Sequence, residues 1–398
     1  MADLLSTAEA QGLILEHTRP LPAERVRLED AAGRVLAEAA RAAVDLPPFA
    51  SSAMDGYAVR AADTPGRLAV VGRIAAGQPA AVGLESGQAM GISTGGAVPQ
   101  GADVVIPIEY VVEHDNDIAI DSPAEAGSNI RPRGGDVRAG EIVAEAGSLL
   151  TPARLGALAA AGIPEARCAQ RPCAAVLPTG TELRRPGETL AAGEIYEANG
   201  LILSAQLAAA GAVVELMPAV GDDEGAHRAA LEQALESDVV VTSGGVSVGP
   251  HDLVRRVEAE LGVEEVFWRV AVKPGKPIAF GVRGKKLVFG LPGNPVSALV
   301  GFELFVRPAI RALQGVPEPL PRFERGRLTG GPRRRNPERD ELARARLRSS
   351  PEGALLEPLS GQDSHMIARA AAADALVLIS RGEGEVADGS MVDYLRLE

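Results

Sequence analysis

The sequence predicts an α/β multidomain protein built around a three-layer, doubly wound domain over residues 171–315. A helical stalk (1–45 with 137–170), an inserted small β-rich domain (46–136) and a C-terminal small β domain (316–398) complete it. Three observations predict this. From Arg171 onward, apolar runs alternate regularly with helical patterns. Two glycine-rich turns, in VVVTSGGVSVGPHD and GLPGNPVS, each follow an apolar run and precede a helical pattern. Between about Tyr57 and Ile142 the texture changes to short β-type runs set among Gly, Pro and Asp clusters, with helical texture on either side.

In chain order, Ser6–His17 reads as an amphipathic helix, and Leu28–Ala31 leads into helical texture over Val35–Ala42. Pro47-Pro48 ends that pattern, because proline lacks an N–H and restricts its predecessor. The β-type runs are Leu68–Val71, Ala89–Ile92, Val104–Ile108 and Ile118–Ile120. Helix returns at Thr151–Ala161, with Thr151 as N-cap, Pro152 at the first position and Gly162 as terminator. In the α/β domain, strand Ala174–Leu177 leads to the turn PTGTE, and Asn199 caps a helix to Ala210. Strand Val213–Pro218 leads to GDD and a helix through Leu235. Strand Asp238–Val241 leads to the first glycine-rich turn and a helix to Leu261. Strand Leu287–Phe289 leads to the second turn, where Asn294 caps and Pro295 opens a helix to about Leu313. Ala343–Leu347, Ala354–Pro358 and Ala375–Ile379 are strands of the last domain.

Composition excludes several classes. A chain of 398 residues, 46% hydrophobic and 23% charged, is a folded protein of two to four domains. Aromatic residues are only 3%, so Ala, Val and Leu fill the cores and the stacking surfaces of single-strand nucleic-acid binders are missing. A net charge of −13 argues against nucleic-acid or anionic-membrane binding. Cys168 and Cys173 make no disulfide framework, which suits a reducing cytoplasm. The N-terminus lacks the basic and apolar regions of a signal peptide, and no apolar run approaches the roughly 20 residues of a membrane span.

The chemistry-bearing residues lie in the turns. Ser243, Gly244, Gly245 and Ser247, with Gly293 and Asn294 of the second turn, offer backbone N–H groups to an anion. Lys273 and Lys276 stand in the proline-stiffened loop KPGKP, which favours anion binding. Asp252 opens the helix after the first turn. A carboxylate beside a phosphate is repelled by about 4 kcal/mol at ~4 Å unless a cation bridges them, and Mg²⁺ is usually held by one or two carboxylates plus substrate phosphates. The same reasoning gathers Glu182 of TGTE and Asp222 or Asp223 of GDD, which follow predicted strands on the ligand side. The five histidines show no metal spacing and no catalytic triad set.

Together the segments PPFASSAMDGYAVRAAD, STGGAVPQGADVVI, NIRPRGGDVRAGE, PTGTEL, TSGGVSVGPHD, KPGKPIAFG and GLPGNPVSALVGFELFVRP resemble, in order and spacing, the molybdopterin molybdenumtransferase family, which is similar to the C-terminal domain of gephyrin. The resemblance covers nearly the whole chain. It implies an elongated homodimer whose α/β domain binds molybdopterin, with the active site completed by the β-rich domain of the partner subunit. It implies Mg²⁺-dependent cleavage of adenylylated molybdopterin, transfer of molybdate to the dithiolene and release of AMP. Transient contact with a molybdopterin adenylyltransferase follows from that substrate.

Carried over by motif, Asp55 and Asp136 reach in from the partner subunit with Thr94 beside them. Asp222, Asp252 and Glu182 serve pterin, metal and phosphate. Lys273, Lys276 and Ser297 hold molybdate or phosphate, and Arg344 and Ser364 form an oxyanion rim. Arg269 departs from the pattern: some members carry a functional Lys there, so it carries over only as an anion-binding group. Two other readings compete. A molybdopterin adenylyltransferase needs only the α/β domain, and a non-catalytic scaffold of gephyrin type needs partner domains or a long linker.

Overall fold

The computed structural model describes residues 4–245 and 253–397. Contacts divide the chain into two compact units: Met1–Glu24 with Gly33–Ala37 and Ala169–Glu398, and Arg25–Ala32 with Glu38–Cys168. The first helix, α1 (Thr7–His17), is closed by a capping box in which Ser6 and Glu9 satisfy each other's backbone N–H groups. Its Ala10 and Ile14 are buried in the core of the α/β region, and Gln11 donates to the Leu304 carbonyl at 2.9 Å. This differs from the expected grouping of 1–45 with 137–170, because the apolar stripe of α1 is used by the α/β core. The helical texture over Val35–Ala42 also does not become helix. Ala169 N donates to Val35 O, and Ala40–Arg41 pairs with Ile142–Ala144, so strand pairing overrides alanine's helix propensity.

The second unit is built on a six-stranded sheet. Its strands are β1 (Gly56–Val59), β2 (Gly66–Ile74), β3 (Gln88–Ile92), β4 (Val104–Pro107), β5 (Val112–Glu113) and β6 (Asp117–Ile120), in the order β4-β1-β3-β2-β6-β5. The fully buried β1 was not among the expected strands. Gly56 shows why a glycine opens it: a Cβ there would lie 2.0 Å from the Ile106 carbonyl oxygen. Helix α2 (Pro152–Ala160) starts where expected, with the Thr151 hydroxyl accepting from Arg154 N.

In the first unit, the α/β region follows as β7 (Cys173–Pro178), α3 (Asn199–Ala209), β8 (Val213–Leu216), α4 (Glu224–Ala234), β9 (Val239–Ser243), α5 (Leu253–Glu260), β10 (Glu264–Trp268), β11 (Ala279–Arg283) and β12 (Lys286–Leu291). Then come α6 (Pro295–Gly301), a π-helical turn (Phe302–Val306) and α7 (Arg307–Leu313). The sheet order is β8-β7-β9-β12-β11-β10. Strands β8, β7, β9 and β12 are parallel, and β11 and β10 complete the sheet antiparallel. Alternate residues of β9 go to opposite faces. Val239 and Val241 join α3, α6 and α7 in one core, while Val240 joins α4 and α5 in another. A strand buried on both faces must read as an unbroken apolar run, as VVV does. The strand order reverses between β7 and β9, which opens a crevice at their carboxyl ends.

The C-terminal region holds β13 (Glu324–Leu328), β14 (Asp340–Ser350), β15 (Gly353–Pro358), β16 (Ala375–Ile379) and β17 (Met391–Arg396). Strand β14 pairs with both β15 and β16, and β13 and β17 link those two, so the five strands close into a small barrel. Closure leaves no free edge among them. Val272–Lys273, leading into KPGKP, pairs parallel with the start of β14.

Candidate functional site

At the β7/β9 switch point lies a cavity of about 650 Å³, in the range of small-molecule sites. The turn after β7 contributes Thr179, Gly180 and Glu182, the one after β8 Asp222, the one after β9 Ser243, Gly244 and Gly245, and the one after β12 Gly293 and Asn294. Of the expected residues, Glu182, Asp222, Ser243, Gly244, Gly245, Gly293 and Asn294 therefore share one wall.

The first turn is glycine by necessity. Gly244 has φ +98°, and a Cβ there would sit 2.5 Å from Thr179 O. Gly245 has φ +68°, with Val254 Cγ2 at 2.4 Å. Gly293 is different: its φ is ordinary, and the nearest atom to an added Cβ is Gly244 Cα at 3.6 Å. The two turns thus approach each other at backbone level. Asn199 locks them. Its Nδ2 donates to Ser243 Oγ at 2.6 Å and to Gly293 O at 2.7 Å. Ala198 occupies the N-cap of α3, and Glu197 Oε1 accepts from Gly200 N, so the expected capping role of Asn199 is replaced by this bridge. Asn294 holds the N-cap position of α6 without a side-chain cap bond, which leaves its side chain exposed in the cavity wall.

Glu182 and Asp222 are the described carboxylates expected at a metal. Glu182 folds back on Gly180, whose absent Cβ leaves the carboxylate room. Asp222 Oδ2 accepts from Thr181 Oγ1 at 3.4 Å. His227 of α4 also lines the cavity. It is 1% exposed, and its Nδ1 has no hydrogen-bond partner. Burial pushes its pKa down, opposed by Asp222 and Asp223. Asp252 and Ser247 lie outside the described residues.

The two lysines differ. Lys273 pairs with Glu341 at 3.3 Å, a carboxylate 6% exposed that Arg333 also approaches at 3.5 Å. Lys276 is half-buried and makes no ion pair among the described residues, and the adjoining Pro277 lines the cavity. Ser297, 3% exposed, is not in the wall. Its carbonyl packs near Gly275 of the lysine loop.

Arg344 does not form a rim. It is 2% exposed, and it donates to Gln362 Oε1, Asp363 O and Gly361 O at 3.2, 3.1 and 3.1 Å, so it fixes the loop before Ser364. Ser364 O accepts from Val296 N at 3.1 Å, and the next residue, His365, reaches the wall. Arg269 adopts φ +79°, and its guanidinium carbon lies 3.7 Å from the Trp268 ring centroid. This stack suits the flat guanidinium better than an ammonium.

In the second unit, Asp55 Oδ1 accepts from Thr94 N at 2.7 Å, and Gly95 N donates to Ser52 O. Asp55 and Thr94 therefore stand side by side. Asp136 is exposed, with its N–H on Leu46 O. Its loop is clamped by Asp45, which accepts from Ala139 N at 2.9 Å and Arg133 Nε at 2.5 Å. The Ala139 bond, then Arg133, holds the Asp45 carboxyl below its ordinary range.

A doubly wound domain with paired glycine turns at its switch point, faced by carboxylates and joined to β domains, defines a multidomain α/β protein with a cavity of small-molecule size at that switch point. Comparison with known proteins narrows the class. Residues 5–162 match the MoeA N-terminal region (domain I and II), residues 175–312 the "probable molybdopterin binding domain", and residues 327–397 the MoeA C-terminal region (domain IV). Molybdopterin molybdenumtransferase 2 of Mycobacterium tuberculosis is 40% identical, over 79% of this chain and 81% of that protein. Molybdopterin molybdenumtransferase of Staphylococcus aureus is 30% identical over 98% and 95%. The crystal structure of a molybdopterin biosynthesis moeA protein from Pyrococcus horikoshii superposes with a TM-score of 0.83 at 32% identity, covering 99% of both chains. The chain belongs to the molybdopterin molybdenumtransferase family and is a transferase. Among the described residues, no helix is long and apolar enough to cross a membrane.

Proposed function

We propose that this chain inserts molybdate into adenylylated molybdopterin, cleaving the phosphoanhydride and releasing AMP. The observation that carries the reading is the shared wall of the switch-point cavity: two glycine turns joined by Asn199, with Glu182 and Asp222 beside them. Backbone N–H groups of the turns, other than that of Gly244, which donates to Leu291 O, bind the phosphates and orient the anhydride. The KPGKP loop neighbours the cavity through Pro277. Lys276 supplies a cation to the molybdate dianion, and Lys273 is held in place by Glu341.

The donors fit Mg²⁺. Among the described residues, no group of three or more His, Cys, Asp or Glu could hold a metal alone. Glu182 and Asp222 with substrate phosphates make the usual mixed set, and Asp252 is the further carboxylate of this reading. Glu182 and Asp222 would hold the ion there, and it would supply charge neutralisation at the phosphoanhydride. Asp55, Thr94 and Asp136 act from the partner subunit of a homodimer, and Ser297, Ser364 and Arg344 shape the anion side through the loops they pack. The protein works in the cytoplasm, receiving its substrate by transient contact with an adenylyltransferase. The finer boundaries at residues 136, 170 and 315 belong to the same reading.

The test is AMP release from adenylylated molybdopterin by purified protein at fixed Mg²⁺, with and without molybdate. Molybdate-dependent release is expected. Tight binding without release would make the chain a scaffold. Formation of the adenylylated species from ATP would make it an adenylyltransferase.

A further inference from the structure

Aromatic residues are 3% of the chain, and most serve the interior. Phe267, Phe280 and Phe289 pack on one another with centroids 5.0–5.6 Å apart. Tyr57 and Tyr394 are buried with their hydroxyls on Glu113 and Glu324. Trp268 lies under Arg255 and Arg269. Tyr196 is different. It lines the switch-point cavity while remaining 47% exposed. Among the described residues, no ring or guanidinium stacks on it.

Its position is fixed by its own flap. Ile195–Tyr196 pairs with Leu183–Arg184. Ile195 N donates to Glu182 O and Glu197 N to Arg184 O, and Arg184 bonds Glu194. The Tyr196 hydroxyl donates to Glu188 O at 2.9 Å. With the hydroxyl occupied within the flap, the ring is what Tyr196 offers to the cavity. The flap is continuous through Glu197 and Ala198 with Asn199, which locks the two glycine turns.

We propose that Tyr196 is a stacking platform for a planar nitrogen heterocycle of the bound substrate, and so a specificity-determining residue. This rests on the reading of the substrate given above, whose molecule carries two such rings, pterin and adenine. Both present a π face to a preformed, half-exposed ring that loses little side-chain freedom on binding.

The experiment measures binding of 6-hydroxymethylpterin, AMP and ribose 5-phosphate by calorimetry to the full chain and to Tyr196→Phe and Tyr196→Leu, with melting temperatures as the control for folding. Tyr196→Leu is expected to weaken one heterocyclic probe roughly tenfold, the scale of base–aromatic stacking. Tyr196→Phe, which keeps the ring, should stay within about twofold, and ribose 5-phosphate should bind all three chains alike. The probe that loses affinity identifies the ring, pterin or adenine. Undiminished binding of both by a folded Tyr196→Leu overturns the stacking role and leaves the substrate reading intact. An unsubstituted chain that binds neither heterocycle overturns both.

Discussion

Asn199 and His227 are both buried polar residues at one cavity, yet their energetics are opposite. The Asn199 amide bonds Ser243 Oγ and Gly293 O, so truncation strands both acceptors. Asn199→Ala should cost about 1–3 kcal/mol, read as a lower midpoint of urea unfolding with an unchanged slope. A smaller loss would mean that the turns hold their approach without the bridge. His227 has a buried Nδ1 with no partner, and burial lowers its folded pKa. The unfolded chain therefore takes up the proton at higher pH than the folded chain. Stability must fall as pH drops through the ordinary histidine value near about 6.5, and it is insensitive to this group well above that value. His227→Leu should be no less stable at pH 8 and should lose less stability between pH 8 and pH 5. Parallel pH curves for the two chains would show that His227 takes up its proton at the same pH folded and unfolded, so that burial does not lower its pKa.

At the scale of elements, the two glycine turns make separable predictions. Gly244→Ala forces a side chain into φ +98° and within 2.5 Å of Thr179 O, so it should destabilise by about 1–3 kcal/mol and disturb the βα connection itself. Gly293→Ala meets nothing closer than 3.6 Å. It should leave the melting temperature nearly unchanged while weakening ligand binding, because its methyl group occupies the approach to the cavity. Equal melting losses in both variants would contradict this distinction.

The sequence makes the strand–turn–helix pattern legible because a central parallel strand must be apolar throughout, as Val239–Val241 is, and because a turn with positive φ selects glycine. Side-chain roles set by distant partners are not legible in this way. Asn199 resembles an N-cap in one dimension, and its partner Gly293 is 94 residues away. The helical texture over Val35–Ala42 yields to pairing with residues more than a hundred positions on. Arg344 keeps the residue type of an anion binder, but its guanidinium faces the backbone of the loop that carries Gly361 and Asp363.

At the scale of the molecule, the chemistry-bearing residues divide between two compact units. Glu182, Asp222 and the glycine turns belong to one, and Asp55, Thr94 and Asp136 to the other. Each set is organised within its own unit: Asp55 by the Thr94 N–H, and Gly293 and Ser243 by Asn199. If the proposed homodimer completes each site with the partner's β-rich unit, an Asp55→Ala subunit and an Asp222→Ala subunit are each inactive alone for different reasons. Their mixed dimer then holds one site with both acids and one with neither. Random pairing makes half of the dimers mixed, so co-expression of the two variants should restore about a quarter of the unsubstituted AMP release. Either variant mixed with itself should restore none. If the two acids act within a single subunit, every site in every mixture lacks one of them, and the mixture stays inactive even though both variants fold and dimerise. Mass analysis of differently tagged subunits establishes that mixed dimers have formed, so a silent mixture counts against the shared site rather than against the mixing.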